Sequence, residues 1–444
     1  MNQTLHFLNQ VQGGDPGIGA IAPTSRHAAT ALAEECARHL GPKSVLELGS
    51  GTGAITTHIL PTIGPRDRLV LCEIHPEFVK FLRHRMQTEA RFQALEGRVT
   101  LQAVSAAELE GEAEYDYILC SIPFTILPAD LARAIFERAR RLLKPGGIFS
   151  YIEYAWLRGL RRPFSGKKFR EVDRVLEEYI RTYQVARRTV LQNLPPAWIR
   201  HLRFQQGPAS RALDLAPLEH RHRVQILGEW GVAREAVLQA AGMLGLAGLA
   251  LAIPPLAHLW QVPALAAGIV STFLRDPYRQ VRRNAQVAYS ACDGRVLKVE
   301  RVTDARLGEG EWLRIATFLG VHDVHINRAP VAGKVIDQFG RSGGYAPAYD
   351  PKADHNHSVY TLIEGPCGRC AVAQRVGVLA RRIVNWFQVG DLLAQGERYG
   401  LIRLGSRTDV YLPAGQVQEV LVKPGDRVTG GVTPIARFAC EPTR

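Results

Sequence analysis

Ser44-Val-Leu-Glu-Leu-Gly-Ser-Gly-Thr-Gly53 runs from an apolar stretch into three glycines spaced two residues apart, and Ala54-Ile-Thr-Thr57 follows as a helix start. A buried strand that turns into a helix at glycines opens a strand-turn-helix unit on a parallel sheet. Gly49, Gly51 and Gly53 let the backbone approach a ligand closely at the helix N-terminus, where unpaired N–H groups face outward. Arg68-Leu-Val-Leu-Cys-Glu73 is a second apolar strand. Its closing acid stands about 20 residues further on, where a carboxylate holds a ribose diol. Residues 1–205 alternate helical and strand patterns throughout, which predicts an α/β domain.

Outward from there the composition changes. Residues 206–235 read as a polar linker, and 275–438 read as short strands separated by turns. Between them, Ala236 to Leu274 contains no Asp, Glu, Lys or Arg, and Pro254-Pro255 breaks the apolar run near its middle. The limb 236–253 approaches the roughly 20 residues that cross a bilayer, whereas 262–274 falls short. Two limbs returning to one side would keep Arg221, Arg223 and Arg234 with Arg275, Arg279, Arg282 and Arg283 on the cytosolic face, as positive-inside placement requires. This predicts a membrane-anchoring helical hairpin over 236–274. The alternative is a pair of Ala/Leu-rich soluble helices packed on the protein.

The formal charge of +13 over 444 residues calls for an anionic partner, nucleic acid or an anionic membrane surface, without separating the two. Seven cysteines are scattered, and the chain opens Met-Asn-Gln-Thr without a basic-then-apolar signal pattern, so a reducing cytosolic location is expected. Cys367-Gly-Arg-Cys370 is a single CxxC with His355 and His357 nearby. With no second pair it predicts no metal site, and these cysteines read as strand or loop residues.

In the N-terminal part, Glu47, Glu73, the run Tyr115-Asp-Tyr-Ile-Leu-Cys-Ser-Ile-Pro-Phe124 and Leu142-Leu-Lys-Pro-Gly-Gly147 occur in an order that resembles class I S-adenosylmethionine-dependent methyltransferases. A nicotinamide dehydrogenase is the competing reading of the glycine loop; the Lys-Pro-Gly-Gly and Ser-Ile-Pro-Phe elements argue against it. The resemblance implies a Rossmann-like fold with S-adenosylmethionine held by Glu47, Gly49, Gly51, Gly53 and Glu73. Val104-Ser-Ala-Ala-Glu108 lacks the acid that commonly holds the adenine, which leaves Ser105 or nearby backbone. Gly19-Ala-Ile-Ala-Pro-Thr-Ser-Arg26 and Gln192-Asn-Leu-Pro-Pro-Ala197 look like bacterial phospholipid N-methyltransferases, while Ile-Pro-Phe also resembles ribosomal RNA adenine dimethylases. Either acceptor is a nitrogen that must face the methyl sulfonium in line, and Ser121 and its backbone carbonyl are the candidates to orient it. Arg158, Arg161, Arg162, Lys167, Lys168, Arg170, Arg187 and Arg188 form a basic stretch suited to anionic headgroups, with RNA phosphates as the rival and a solvated helix face as the bland reading.

Gly405-Ser406, within Gly400-Leu-Ile-Arg-Leu-Gly-Ser-Arg-Thr-Asp-Val-Tyr-Leu-Pro413, is by itself a common turn. A serine hydroxyl can nevertheless attack the preceding carbonyl when a base takes its proton, and elimination from the resulting ester leaves a pyruvoyl group. Phe273-Leu-Arg-Asp-Pro277, Ser290-Ala-Cys-Asp-Gly-Arg-Val296, Val324-His-Ile-Asn-Arg-Ala-Pro330 and Gly377-Val-Leu-Ala-Arg-Arg-Ile383 precede it. Together these five elements resemble the short phosphatidylserine decarboxylase proenzymes over about residues 236–438. The resemblance implies self-cleavage between Gly405 and Ser406 and a small subunit starting with pyruvoyl at position 406. It also implies His325 as base and later proton donor, with Asp293 fixing its tautomer. Asn327 and Arg328 are candidates for the substrate phosphate or carboxylate. Ala291 and Cys292 depart from the family pattern, and His322 adds a second imidazole. Leu412 to Val428 alternates strand and turn signals like a barrel-sandwich.

The expected fold class is therefore α/β plus mainly β. It comprises a Rossmann-like methyltransferase domain (1–205), a linker (206–235), an apolar helical hairpin (236–274) and a β-rich pyruvoyl decarboxylase domain (275–444) with a barrel-sandwich-like element. The expected activity is bifunctional: decarboxylation of phosphatidylserine to phosphatidylethanolamine, then N-methylation of that amine towards phosphatidylcholine. The expected partners are phospholipids, an anionic membrane surface at the cytoplasmic face and further copies of the chain, with no nucleic acid and no metal. The rival readings are an RNA methyltransferase fused to a decarboxylase and an inactive membrane scaffold.

Overall fold

Five apolar segments, β1 (Ser44–Leu48), β2 (Arg68–Cys72), β3 (Val99–Gln102), β4 (Tyr115–Cys120) and β5 (Leu143–Tyr154), pair in parallel. β6 (Gln184–Val190) and β7 (Ala197–Leu202) complete a seven-stranded sheet in the order β3-β2-β1-β4-β5-β7-β6, with β7 antiparallel to both its neighbours. Every residue of β4 is buried, as a central parallel strand covered on both faces requires. Successive side chains serve opposite cores. Leu46, Leu48, Val70, Cys72, Ile118 and Cys120 enter one cluster, whereas Val45, Leu69, Leu71, Tyr117 and Leu119 enter the other. Helices α1 (Arg26–Ala37), α2 (Pro76–Thr88), α3 (Ala129–Leu142) and α4 (Lys167–Tyr183) bury one apolar stripe each, and the Ser25 hydroxyl caps α1 by accepting the Ala28 N–H.

This computed structural model describes residues 24–156, 159, 166–218, 222–227, 230–378, 382–403 and 406–439. The chain separates into two units, 1–208 and 209–444. Residues 206–235, expected to be a linker, instead carry a 3₁₀ turn (Ala209–Asp214) and a hairpin of β8 (Arg223–Leu227) with β9 (Trp230–Ala233). The turn's Ala212 and Leu215 pack with Ala332, Leu392 and Ala394 of the second unit.

Two apolar helices, α5 (Arg234–Ala252) and α6 (Gln261–Phe273), form the hairpin. Pro254-Pro255 ends the first helix, and a 3₁₀ segment (Pro254–Leu259) leads into the second. With that segment the second limb reaches 20 residues, Pro254–Phe273, correcting the expectation that it falls short. Only 11% of either apolar window is buried, and Leu238, Leu244, Leu246, Leu249, Leu265 and Ile269 face outward. The base of the hairpin is anchored: Ala236, Phe273 and Leu274 pack with Val232, Val324, Ile326 and Leu401.

The remainder is β-rich. An eight-stranded antiparallel sheet runs β18-β14-β15-β16-β20-β12-β11-β22. Its strands are β11 (Gly294–Thr303), β12 (Glu311–Leu319), β14 (Gly333–Arg341), β15 (Ser358–Gly365), β16 (Gly368–Arg375), β18 (Leu392–Leu393), β20 (Ser406–Pro413) and β22 (Arg427–Val428). Two three-stranded sheets flank it: β10 (Val287–Tyr289) with β23 (Pro434–Phe438) and β21 (Val417–Val420), and β13 (Ile326–Arg328) with β19 (Arg398–Ile402) and β17 (Ile383–Asn385). At Gly294 φ is +145°, and a Cβ there would collide with the Phe318 carbonyl of the paired strand. Cys367, expected to be an ordinary loop cysteine, is disulfide-bonded, whereas Cys370 is a buried free thiol. Among the described residues no group of three or more His, Cys, Asp or Glu side chains is placed to hold a metal.

Candidate active sites

In the first unit the glycine loop leaves β1 at the carboxyl edge of the sheet. Gly49 and Ser50 donate their N–H groups to the Cys72 carbonyl at 2.9 and 3.2 Å, which ties the loop to the end of β2. Gly49, Gly51 and Gly53 have φ of +71°, +55° and +78°, and a Cβ at Gly53 would collide with the Arg85 guanidinium. Glu73 straps this edge together. One of its oxygens accepts the Gly51 N–H at 2.7 Å, and the other accepts those of Ile74 and His75, both at 2.9 Å.

Glu47 is fully buried. Thr56 donates its hydroxyl to one carboxylate oxygen at 2.7 Å, while the other oxygen has no partner. Burial pushes its pKa up to about 8, against the pull of the Thr56 hydrogen bonds. An unsatisfied buried acceptor beside a glycine cradle suits the ammonium of an amino-acid-bearing cofactor, so these residues fit S-adenosylmethionine.

The Ser121 hydroxyl donates to the Gly49 carbonyl, joining two loops, and its oxygen keeps lone pairs that can accept from an amine. Ser105 lies half-buried after β3 with its hydroxyl accepting the Ala107 N–H at 3.4 Å, and among the described residues no hydrogen bond joins it to the glycine loop. Sequence reading missed Arg85. From α2 it donates to the Thr52 carbonyl at 2.6 Å and pairs with Glu89, holding the glycine loop from beneath. The Arg85/Glu89 spacing of four on one helix face was the available signal.

Beside this loop a small pocket is lined by Ser121, Phe124, Tyr151, Glu153, Tyr154 and Asn193, among others. Glu153 is buried and paired with Arg200 at 2.5 Å. Aromatic rings with a carboxylate among them suit a nitrogen that gains positive charge as it is alkylated.

In the second unit Ser406 is the first residue of β20, opposite Leu319 of β12. It is fully buried, and its hydroxyl has no hydrogen-bond partner. His325 is equally buried. Its Nδ1 lies 2.8 Å from the Asp323 carbonyl oxygen, which fixes the proton on Nδ1 and leaves the Nε2 lone pair available; Nε2 has no partner. The Ile402 N–H donates to the His325 carbonyl at 3.2 Å, so His325 lies beside β19, the strand that precedes Ser406 in the chain. The Phe273 ring, at the foot of the apolar hairpin, lies 4.1 Å from the imidazole.

The expected tautomer-fixing contact from Asp293 is not formed. Its carboxylate is held by both terminal nitrogens of Arg279, at 2.5 and 2.6 Å, and by the Gly430 N–H at 2.9 Å. A bidentate guanidinium outcompetes a neutral imidazole for a carboxylate, so the peptide carbonyl of Asp323 does the orienting instead. Arg328 is likewise engaged elsewhere. With Arg398 it brackets the buried Asp276, at 3.2 and 2.5 Å. Asn327 donates to the Thr408 hydroxyl at 3.0 Å and accepts from Gln374 at 2.8 Å, bracing β13 against β20 and β16. Immediately after the serine, Arg407 and Arg375 flank the buried Asp409 at 2.7 and 2.8 Å. Burial opposes ionisation of Asp409, but the two guanidinium groups outweigh it and hold the carboxyl well below its usual range. Gly405, Gly19 to Pro23, Arg158, Arg161, Arg162 and Arg221 lie outside the described residues.

Burial lowers the His325 pKa to about 4, more than the Asp323 carbonyl raises it. The base-competent neutral form therefore prevails above about pH 4, whereas an ordinary imidazole would lose it near pH 6.5. Self-cleavage of freshly translated chain, followed on gels, is expected to keep its rate from pH 7 to pH 5 and to fall as pH drops through 4. A half-loss near pH 6.5 would exclude His325 as the base.

Comparison with known proteins matches two family models: "Phosphatidylserine decarboxylase" over residues 267–436 and "Methyltransferase domain" over 46–149. The chain is 43% identical to a phosphatidylserine decarboxylase proenzyme of Symbiobacterium thermophilum over 212 residues, covering 47% of this chain and 95% of the relative. It is 42% identical to that of Thermobifida fusca over 188 residues, 42% of this chain and 78% of the relative. Among solved structures, the N-methyltransferase NodS of Bradyrhizobium japonicum with S-adenosyl-L-homocysteine matches at 18% identity and a TM-score of 0.33, covering 46% of this chain and 98% of that one.

Proposed function

We propose, from the premise that this chain belongs to the phosphatidylserine decarboxylase family and carries a methyltransferase domain beside that part, that one polypeptide releases the amine of phosphatidylethanolamine and then methylates it. The supporting observation is chemical continuity. The product of one half bears the primary amine that an N-methyltransferase needs, and the pocket beside the glycine loop presents Glu153 among aromatic rings, a setting suited to that amine. The two outward-facing apolar helices are consistent with a lipid substrate reached from the cytoplasmic face of a membrane.

Maturation uses the chain's own atoms. His325 Nε2 takes the Ser406 hydroxyl proton, and the oxygen attacks the Gly405 carbonyl. The C–O bond forms as the C–N bond breaks, and the freed amine takes up a proton. A base then takes the Cα proton as the Gly405 carboxylate leaves Cβ, the resulting N-terminal enamine takes a proton on Cβ to become an imine, and water displaces ammonia from Cα to leave the pyruvoyl ketone. The pyruvoyl group supplies an electron sink for loss of carbon dioxide, and S-adenosylmethionine supplies an electrophilic methyl group. His325, dry and neutral, then returns a proton to the substrate α-carbon. Glu73 and the glycines hold the cofactor, while Glu153 and the rings around it stabilise charge growing on nitrogen.

Vesicles in which phosphatidylserine is the sole amino lipid, supplied with methyl-labelled S-adenosylmethionine, test the coupling. Wild-type protein is expected to label lipid. Ser406→Ala is expected to label nothing from phosphatidylserine yet to label phosphatidylethanolamine given directly. Absence of label from phosphatidylethanolamine given directly to the wild type rejects the acceptor assignment.

A further inference from the structure

Close in the chain to Tyr154 and Asn193, which line the methyl-acceptor pocket, stand exposed apolar side chains that its chemistry does not use. Trp156 follows the end of β5 with φ of +60° and is 49% exposed. Leu191 and Leu194, in the loop between β6 and β7, are 65% and 81% exposed, while Asn193 between them turns inward to line the pocket. The register puts them at one edge: Tyr154 and Val190 are both paired with Ala197, so the end of β5, the end of β6 and the start of β7 meet there. This is the edge at which β1 passes into the glycine loop.

Basic side chains accompany these three. α4 begins with Lys167, Lys168 and Arg170, all exposed, and among the described residues none of them forms an ion pair. Phe169, in the same turn, is 43% exposed. Arg187 is exposed and lies over the Trp198 ring at 4.8 Å, and Trp198 in turn meets Trp156 at 6.0 Å. Large apolar side chains that protrude singly among unneutralised cations match the layered chemistry of a bilayer surface, with anionic headgroups outermost and acyl chains beneath. Indole rings favour that boundary.

We propose that this rim is a membrane-docking surface of the methyltransferase unit: Leu191, Leu194 and Trp156 enter an anionic lipid surface so that the pocket opens directly onto it. The inference rests on a lipid amine being the acceptor. A headgroup then reaches the pocket without leaving the bilayer, and the cost of extracting two acyl chains into water is avoided. This contact is separate from the apolar hairpin, which tethers the chain but does not aim its first unit.

The test uses the full-length protein and two forms of one acceptor: phosphatidylethanolamine in vesicles with phosphatidylglycerol, and a short-chain phosphatidylethanolamine dispersed below its micelle concentration. The double variant Leu191→Ser/Leu194→Ser changes exposed side chains that do not line the pocket. It is expected to slow methyl transfer to vesicles about tenfold or more, since two leucines no longer bury apolar surface, and to leave transfer to the dispersed lipid unchanged. Trp156→Ser is expected to act in the same direction. Equal vesicle rates for variant and wild type would overturn docking while leaving the acceptor assignment standing. If wild type labels neither lipid form, or labels added RNA instead, the acceptor assignment fails and the docking proposal falls with it.

Discussion

Ser406→Ala is expected to leave one intact chain of 49.1 kDa where the wild type yields two fragments, the smaller beginning at position 406. The wild-type hydroxyl is buried without a hydrogen-bond partner, so removing it costs no satisfied interaction and relieves an unmade one. The variant should therefore fold, and its melting temperature should match or exceed that of uncut wild type. Decarboxylation should fall to background, because residues 400–413 contain no other serine to generate the ketone. Intact-mass measurement and a carbon dioxide release assay check both statements. A fragment starting at residue 406 in the alanine variant would sink the assignment. Ser406→Cys offers a sharper comparison: a thiol can make the acyl shift, so slow cutting without decarboxylation would assign the first step to this side-chain position.

Glu73→Ala is expected to cost methyl transfer at least about 100-fold in kcat/KM for S-adenosylmethionine. The carboxylate accepts three backbone N–H bonds, and each donor left unpaired costs about 1–3 kcal/mol or must turn to water. The loss of Gly51's partner also frees the glycine loop, so weaker binding and poorer alignment arise together. Phosphatidylserine decarboxylation should be untouched, because Glu73 belongs to the first unit and the cleavage strand to the second. Calorimetric cofactor affinity together with a decarboxylase assay on one preparation checks the separation. A change of less than about threefold in both affinity and methyl transfer would remove Glu73 from the cofactor site.

What could be read from sequence was what repeats. Leu46 and Leu48 against Val45, and Leu69 and Leu71 against Val70, carry the two-residue period of a strand covered on both faces, and the fold class followed. The glycine loop and Glu73 lie at ends of such strands, so their placement followed as well. The misses fall where partners come from irregular segments. Arg279 reaches Asp293 from residues Asp276 to Asn284, which form no strand or helix, and no period announces a guanidinium there. Asp323's carbonyl, which orients His325, is a backbone group and carries no side-chain signature. In residues 206–235 the charged stretch obscured Arg223-Val-Gln-Ile-Leu227, whose alternation was a legible strand signal.

The proposed cut between Gly405 and Ser406 falls at the start of a sheet strand. β20, which starts at Ser406, is an inner strand, paired with β12 on one side and β16 on the other. It reaches that position while still joined to the rest of the chain, so folding is unimolecular. Once the bond is broken, the same strand is threaded between neighbours belonging to a separate fragment. With its cysteines reduced, later unfolding would send the pieces apart, and recovery would become a second-order search requiring a strand to re-enter an inner position of the sheet. The mature protein is thus the record of a folding event that happens once. Heat or denaturant should erase its activity permanently, while the uncut Ser406→Ala chain should regain its structure.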